Sequence, residues 1–423
     1  MVNTDMNHAL ELYRNDPLAL FRDEFHIPPH QDGSEQVYLC GHSLGPMPRN
    51  AMTLIDQELD AWADRAVGSH FAGRNPWVDY HETLREPLAE LVGALPVEVV
   101  AMNSLTVNLH LMMISFFRPK GQRSKILIEK HAFPSDRYAV ESQLRFHGLD
   151  PDEHLVELAG VPDGYPVDES EIERYLIAHG DQVALVMFPG VQYATGQVFD
   201  LLRITAAARD CGAAVGFDLA HAAGNVPLNL HECGCDFAVW CSYKYLNGGP
   251  GAAAGCFVHE QHSRRSDIPR LQGWWGNDPG TRFLMAREFI PAAGADAWQL
   301  SCPPVLSMAP LRASLQLFTE AGMPALRQKS LQLTTYLRTL IETRLAEEIS
   351  IITPRAPQSH GCQLSLRVNA GRDAGRALFK SLEDNGYVGD WREPDIIRVA
   401  PIPLYNSFDD AWRFVDYVAG NGD

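Results

Sequence analysis

At 423 residues the chain is longer than one simple core accommodates, and two domains are expected. Hydrophobic residues make up 46% and charged residues 21%, the balance of a globular protein and not of a disordered one. A net charge of −18, from 53 acidic against 35 basic side chains, argues against nucleic acid and anionic membranes and for a small-molecule partner.

The first residues, MVNTDMNHALELYRNDP, contain no basic region followed by an apolar stretch, and no run of about eighteen apolar residues occurs anywhere. Neither secretion nor a membrane span is expected, and the chain reads as cytoplasmic. Its eight cysteines are scattered, and Cys233 and Cys235 lack the spacing and second ligand pair of a structural zinc site, so reduced thiols are expected. Residues 1–36 read as an amphipathic arm and the polar turn PPHQDGSE, followed by a strand VYLC and the turn GHSLGPMP. The next segment, RNAMTLIDQELDAWADRA, has helical spacing that groups Met52, Ile55, Leu59 and Trp62 on one face. From about 95 to 260, strand-like runs (KILIEK, ALVMFPG, AAVGFDLAH, FAVWCSYK) alternate with helical ones (SDRYAVESQLRFHG, ITAAARDCG). This predicts an α/β fold with a mostly parallel sheet. A long helical region, roughly 308–348, precedes short strands at CQLSLRV and IIRVAPIPL and helices near 372–386 and 408–419. The expected layout is an arm and substrate-side loop (1–45), a large domain (46–305) and a small α+β C-terminal domain (306–423).

In a parallel sheet, ligands settle outside the C-terminal strand ends. Phe133 to Asp136, Asp218, His221 and Lys244 all follow apolar runs, which suggests one site built from several strands. Lysine is seldom fully buried, yet Lys244 follows Phe237, Ala238, Val239 and Trp240 and precedes a glycine-rich stretch. It is either a structural ammonium with a charge partner or an amine held for chemistry. Lysine forms Schiff bases with carbonyls, above all with pyridoxal 5′-phosphate, whose ring is an electron sink. That cofactor needs a lysine, a carboxylate for its ring nitrogen, an aromatic face and phosphate donors. Lys244 and Asp218 supply the first two. An Asp218–Lys244 ion pair with His221 as a core histidine is the plainer alternative, but the strand ends taken together favour chemistry.

The segments GFDLAHAAGNVPLNLHECGCDFAVWCSYKYLNGGPGAAAG, NSLTVNLHLMMISFF, AFPSDRYAVESQLRFHGL, GWWGN and IRVAPIPLYNS closely resemble kynureninases, over about residues 38–410. These belong to the fold-type-I enzymes that use pyridoxal 5′-phosphate. The resemblance implies that Lys244 carries the cofactor, that Asp218 pairs with the pyridine nitrogen and that His221 lies beside the ring. It implies Phe133 on the ring face, with Pro134, Ser135 and Asp136 shaping the pocket. Leu105 and Thr106 would donate to the phosphate at a helix start. Tyr243 and Trp274 would also reach the phosphate, part of this shell coming from the second subunit of a homodimer, and Tyr243 would double as a relay acid/base. Arg398 would grip the substrate α-carboxylate, a task suited to its planar fork. The implied reaction is hydrolytic cleavage of the Cβ–Cγ bond of a kynurenine to an anthranilate and L-alanine.

Three positions depart from the family pattern. Cys302, in the cofactor shell, stands where asparagine is usual, Asn277 where histidine is frequent, and Pro189 where a hydroxyl commonly approaches the cofactor. His70 and Ser301 match forms that prefer 3-hydroxykynurenine. The expectation is that Cys302 and Asn277 reshape the aryl pocket for a ring-substituted kynurenine, hydroxylated or methylated, with neutral drift as the alternative. Rival readings fit the residues less well. GHSLG matches the nucleophile elbow of serine hydrolases, but Pro46 and Pro48 crowd the helix that should follow, so the turn reads as a substrate-side loop with His42 and Ser43 as minor candidates. A cysteine desulfurase or class V aminotransferase would share fold and lysine, but desulfurases usually place histidine where this chain has Tyr243.

Overall fold

The computed structural model describes residues 5–160, 167–263, 265 and 267–420. The apolar runs of the first two-thirds pair into one seven-stranded sheet. Its strands, in chain order, are β1 (Val99–Ala101), β2 (Lys125–Glu129), β3 (Leu155–Leu158), β4 (Val183–Pro189), β5 (Ala214–Asp218), β6 (Phe237–Trp240) and β7 (Gly255–Val258). They lie side by side as β1-β7-β6-β5-β4-β2-β3. Strands β3, β2, β4, β5 and β6 are parallel, and β7 runs antiparallel to both its neighbours. Both faces are covered, which is why these strands are continuous apolar runs and not alternating ones. Ile126, Ile128, Phe237 and Val239 pack on one face with Leu109, Met113 and Val140. Leu127, Val215, Phe217 and Trp240 pack on the other with Ile204, Ala208 and Leu311. Gly216 is required in β5: a Cβ there would stand 2.0 Å from the ring of Phe237 on β6.

The predicted strands and helices of this region form where expected. The long helical region is two helices, Val305–Ala321 and Met323–Arg344, broken at Gly322, whose φ of 73° suits glycine. The first sends Met308, Leu311 and Leu315 into the large core. The second joins a small antiparallel sheet of β8 (Ile349–Ile351), β9 (Leu364–Val368), β10 (Asp390–Arg392) and β11 (Ile396–Val399), ordered β8-β9-β11-β10. Ala9, Val37 and Leu39 of the arm share that second core. Along the second helix, Leu326 still belongs to the large core, whereas Leu333, Leu337 and Ile341 belong to the small one.

The helix expected from the spacing of RNAMTLIDQELDAWADRA forms, and the face it groups lies largely at the surface. The Asn50–Arg65 helix buries Ala51, Leu54, Glu58 and Ala61, leaving Met52, Leu59 and Trp62 exposed. Of that face only Ile55 packs against the large core; the other three side chains are left largely uncovered within one chain. Among the described residues no helix is long and apolar enough to cross a membrane.

Candidate active site

Strands β2, β4, β5 and β6 end on the same edge of the sheet, and their last residues and following turns enclose a cavity of about 150 Å³. Leu105, Thr106, Phe133, Ser135, Asp136, Asp218, His221, Tyr243 and Lys244 all line it. The geometry thus brings these sequence-predicted residues, from several strand ends, around one cavity.

Each of these side chains has a local reason for its place. The Leu105–Phe116 helix begins at Ser104, and no side chain caps its first turn, so the N–H groups of Leu105 and Thr106 are free to face an anion. Asn108 fixes that end by donating to the Met102 carbonyl at 3.0 Å and accepting from Asn103 at 2.9 Å. Phe133 precedes the Pro134–Phe146 helix, and Pro134 opens it at the position where a missing N–H costs nothing. The Thr106 and Ser135 hydroxyls meet at 3.0 Å, which links the two helix starts. Phe133 packs edge-on against Tyr193, with ring centres 5.2 Å apart, and stays partly exposed toward the cavity.

Lys244 lies in a turn closed by Asn247 N–H to the Lys244 carbonyl (3.0 Å) and Gly248 N–H to the Ser242 carbonyl (2.8 Å). The GHSLG loop braces this turn through Gly45 N–H to the Tyr243 carbonyl at 2.9 Å. A Cβ on Gly45 would stand 2.5 Å from the Lys244 carbonyl oxygen, so this glycine serves a close approach of two loops. Lys244 Nζ lies 3.1 Å from His221 Nε2 and 5.9 Å from the Phe133 ring centre. Burial, then the Lys244 and Arg398 charges, push the His221 pKa well below its usual value. The imidazole is therefore neutral, with Nε2 as acceptor.

Asp218 accepts from Ala220 N–H at 2.6 Å and is buried, as is Asp136 beside it. Burial and then the Asp218 charge hold the Asp136 carboxyl well above its usual range; burial also raises Asp218, against the pull of Ala220 N–H and Lys244. Asp136 is accordingly the member of the pair that favours its protonated form, and one of its oxygens, Oδ1, has no partner. Burial, then the Cys241 thiol, push the Tyr243 phenol up.

Arg398 is fully buried on β11 and paired with Asp390 across from it on β10. Its Nε donates to Asp390 Oδ1 at 2.6 Å, and Nη2 contacts Asp390 Oδ2. Ser43 Oγ donates to the same carboxylate at 2.5 Å, and His42 Nε2 lies 3.3 Å from it. Burial alone would raise the Asp390 pKa, but His42 and Arg398 drive it far down. Burial and Arg398 also push His42 down to about 4. Near neutral pH His42 is thus uncharged, and the guanidinium groups hold Asp390 ionised.

Pro134, Ser43 and Arg398 do not line the Lys244 cavity, and Trp274, Asn277, Ser301, Cys302 and His70 are placed elsewhere within one chain. Trp274 donates from its indole to the Arg282 carbonyl at 3.0 Å, and Asn277 accepts from Ile290 N–H at 2.8 Å. Ser301 and Cys302 are exposed. Cys302 and His70 meet in a second, apolar cavity of about 490 Å³ with Trp62, Trp77 and Leu306. Conversely, sequence reasoning missed Glu129 and Tyr193, which line the Lys244 cavity, and Asp390, which anchors Arg398. Glu129 closes β2 as Asp218 closes β5, and that parallel was the available signal.

The family described as "Kynureninase C-terminal domain" matches residues 326–418. Proteins named kynureninase from Xanthomonas campestris pv. campestris (strain B100) and Stenotrophomonas maltophilia (strain K279a) are each 56% identical, over 97% of this chain and 97% of their own length. In structure the chain is similar to a C-DES mutant with glycine covalently linked to its PLP cofactor, at TM-score 0.77 and 19% identity over 92% of this chain and 97% of that one. It is likewise similar to a cysteine desulfurase from Thermococcus onnurineus NA1, at TM-score 0.74 and 17% identity over 91% and 94%. At such identities the structural likeness speaks for the fold alone, so the desulfurase alternative gains nothing from it. The near full-length match at 56% identity decides the matter: the chain belongs to the kynureninase family.

Proposed function

We propose that the chain hydrolyses the Cβ–Cγ bond of L-kynurenine or a ring-substituted analogue, such as 3-hydroxykynurenine, to the anthranilate and L-alanine, with pyridoxal 5′-phosphate as cofactor. The observation that carries this reading is the convergence of Lys244, Asp218, Phe133 and an uncapped helix start on one cavity. The residues fit that cofactor on their own chemistry. Lys244 would take the aldehyde, the buried Asp218–Asp136 pair, with Asp136 Oδ1 unpartnered, would hold a protonated ring nitrogen, Phe133 would offer its face, and the N–H groups of Leu105 and Thr106 would receive a phosphate.

When bound, the cofactor supplies an electron sink that allows bonds at the substrate Cα and then Cβ–Cγ to break. Lys244 Nζ takes the Cα proton. Neutral His221 accepts a hydrogen bond from that amine without competing for its proton. Tyr243, kept protonated by burial, donates a hydrogen bond and acts as an acid instead of a phenolate base. Arg398 holds the α-carboxylate from the floor set by Asp390 and Ser43. The test is anthranilate fluorescence and alanine release from L-kynurenine, 3-hydroxykynurenine and a ring-methylated analogue. Release from at least one supports the reading, and release from none overturns it. A ring-substituted compound preferred over L-kynurenine would favour Cys302 and Asn277 as shapers of the aryl pocket.

The working assembly in this reading is a homodimer in the cytoplasm. Trp62, His70, Phe71, Phe283 and Trp274 form a continuous aromatic stripe, with Phe71–Phe283 and Trp274–Phe283 ring centres both 5.5 Å apart. Trp62 is 57% and Phe71 65% exposed, and Met52 and Leu59 extend the patch. Surface patches of this kind mark interfaces, and this one carries the candidates that cannot reach their own chain's Lys244. A second copy is the occupant that gives them a cavity to serve. Eight thiols outside any disulfide suit a reducing compartment. Trp62→Glu is expected to convert the dimer to a monomer in sedimentation and to lower turnover with it. A parent chain that sediments as a monomer at full activity contradicts the shared-site assembly.

A further inference from the structure

The floor beneath the substrate carboxylate contains more positive charge than Arg398 alone. Strand β10 presents Asp390 and Arg392 to one face and Trp391 to the other, as the period of two requires. Trp391 lies under the Arg376 guanidinium, and Glu393 in the turn that follows pairs with Arg372 and Arg376, so Trp391 faces the Arg372–Asp384 helix. Asp390 and Arg392 face the site, where Arg392 Nη2 donates to Asp390 Oδ2 at 2.9 Å and approaches Ser43 Oγ at 3.4 Å.

Counting donors shows what Arg398 has left. Nε and Nη2 reach Asp390, Nη2 also reaches Ser43 Oγ at 3.3 Å, and Nη1 donates to the Tyr193 carbonyl at 2.6 Å. Four of its five N–H groups are engaged, so in this arrangement it has one to spare. A two-pronged grip on a second carboxylate needs two. Arg392 has the missing capacity: its Nε is buried without a partner, while the side chain is partly open to solvent. Two guanidinium groups bridged by one carboxylate, with a neutral His42 alongside, leave one positive charge unbalanced in the cluster. A group carrying one negative charge completes it.

We propose that Arg392 is a second substrate-binding residue, and that it and Arg398 hold the α-carboxylate of the amino-acid substrate jointly over the Asp390 bridge. The proposal rests on the kynurenine reading and names the residue that completes the carboxylate subsite. Asp390 is a positioning residue that sets both guanidinium planes, and the Ser43 hydroxyl, donating to Asp390 while accepting from both arginines, fills the place between them.

The experiment uses the holoenzyme. Arg392→Gln is expected to raise the KM for L-kynurenine about 10- to 100-fold, the worth of a charge-assisted hydrogen bond, with kcat within about threefold of the parent. Arg392→Lys should recover part of the loss, because it returns the charge without the planar fork. In calorimetry, L-alanine binding should weaken by a similar factor in Arg392→Gln, and L-alaninamide binding should not, since only the acid presents a carboxylate. An unchanged KM, a fall in kcat alone, or equal weakening of acid and amide would overturn the proposal. Failure of the kynurenine reading would look different: the parent holoenzyme would release no anthranilate, and calorimetry with the alanine pair would still test the subsite.

Discussion

A Lys244→Ala chain is expected to turn over L-kynurenine at least about 10³-fold more slowly than the parent, while keeping its fold. The loss is large because one nitrogen has two tasks in this account, attachment of the cofactor and removal of the Cα proton. The fold survives because Lys244 is only partly buried, and its one side-chain hydrogen bond, to His221 Nε2, contributes about 1 kcal/mol. The turn that carries Lys244 is closed by backbone bonds that alanine retains. Single-turnover anthranilate release, run beside a thermal melt, separates the two effects. Activity within tenfold of the parent, in a chain that melts normally, would remove Lys244 from the chemistry.

Asp218→Asn is expected to lower kcat roughly 10²- to 10³-fold, the cost of withdrawing one fixed electrostatic partner from a buried site. The substitution keeps the shape, and the amide oxygen can still accept from Ala220 N–H, so the change is one of charge alone. Asp136→Asn is expected to cost far less, because burial and Asp218 already hold that carboxyl in its neutral form. The ratio of the two effects therefore tests which aspartate carries the charge. Equal losses would mean that the pair acts as one unit and that the assignment of the proton to Asp136 is wrong. Steady-state rates and the visible absorbance of each holoenzyme supply the comparison.

The sequence made the edge-of-sheet half of this site legible for a physical reason. In a parallel sheet with both faces covered, a strand is an uninterrupted apolar run, and the residues at its end and in the turn after it lie at the ligand-binding edge. Asp218, Phe133 and Lys244 could be read in this way from their flanking residues alone. Glu129 ends KILIE by the same rule and is 1% exposed, but a strand-end carboxylate does not by itself differ in local pattern from a surface charge. The carboxylate floor was less accessible. Arg398 faces Asp390 only because β10 and β11 are antiparallel in one particular register, and the Tyr193 carbonyl comes from a distant loop. Such pairings depend on register, which local pattern does not specify. The Met52–Trp62 face shows a third limit. Helical periodicity reports that a face is apolar, but not whether its cover comes from the same chain.

The most direct test is to reduce the reconstituted protein with borohydride and map the modified peptide by mass spectrometry. The account predicts a pyridoxyl-phosphate adduct on Lys244, in the tract Cys241-Ser242-Tyr243-Lys244-Tyr245, with loss of the visible absorbance and of anthranilate release together. A protein that stays colourless on reconstitution, or an adduct on another lysine with Lys244 unmodified, would contradict it.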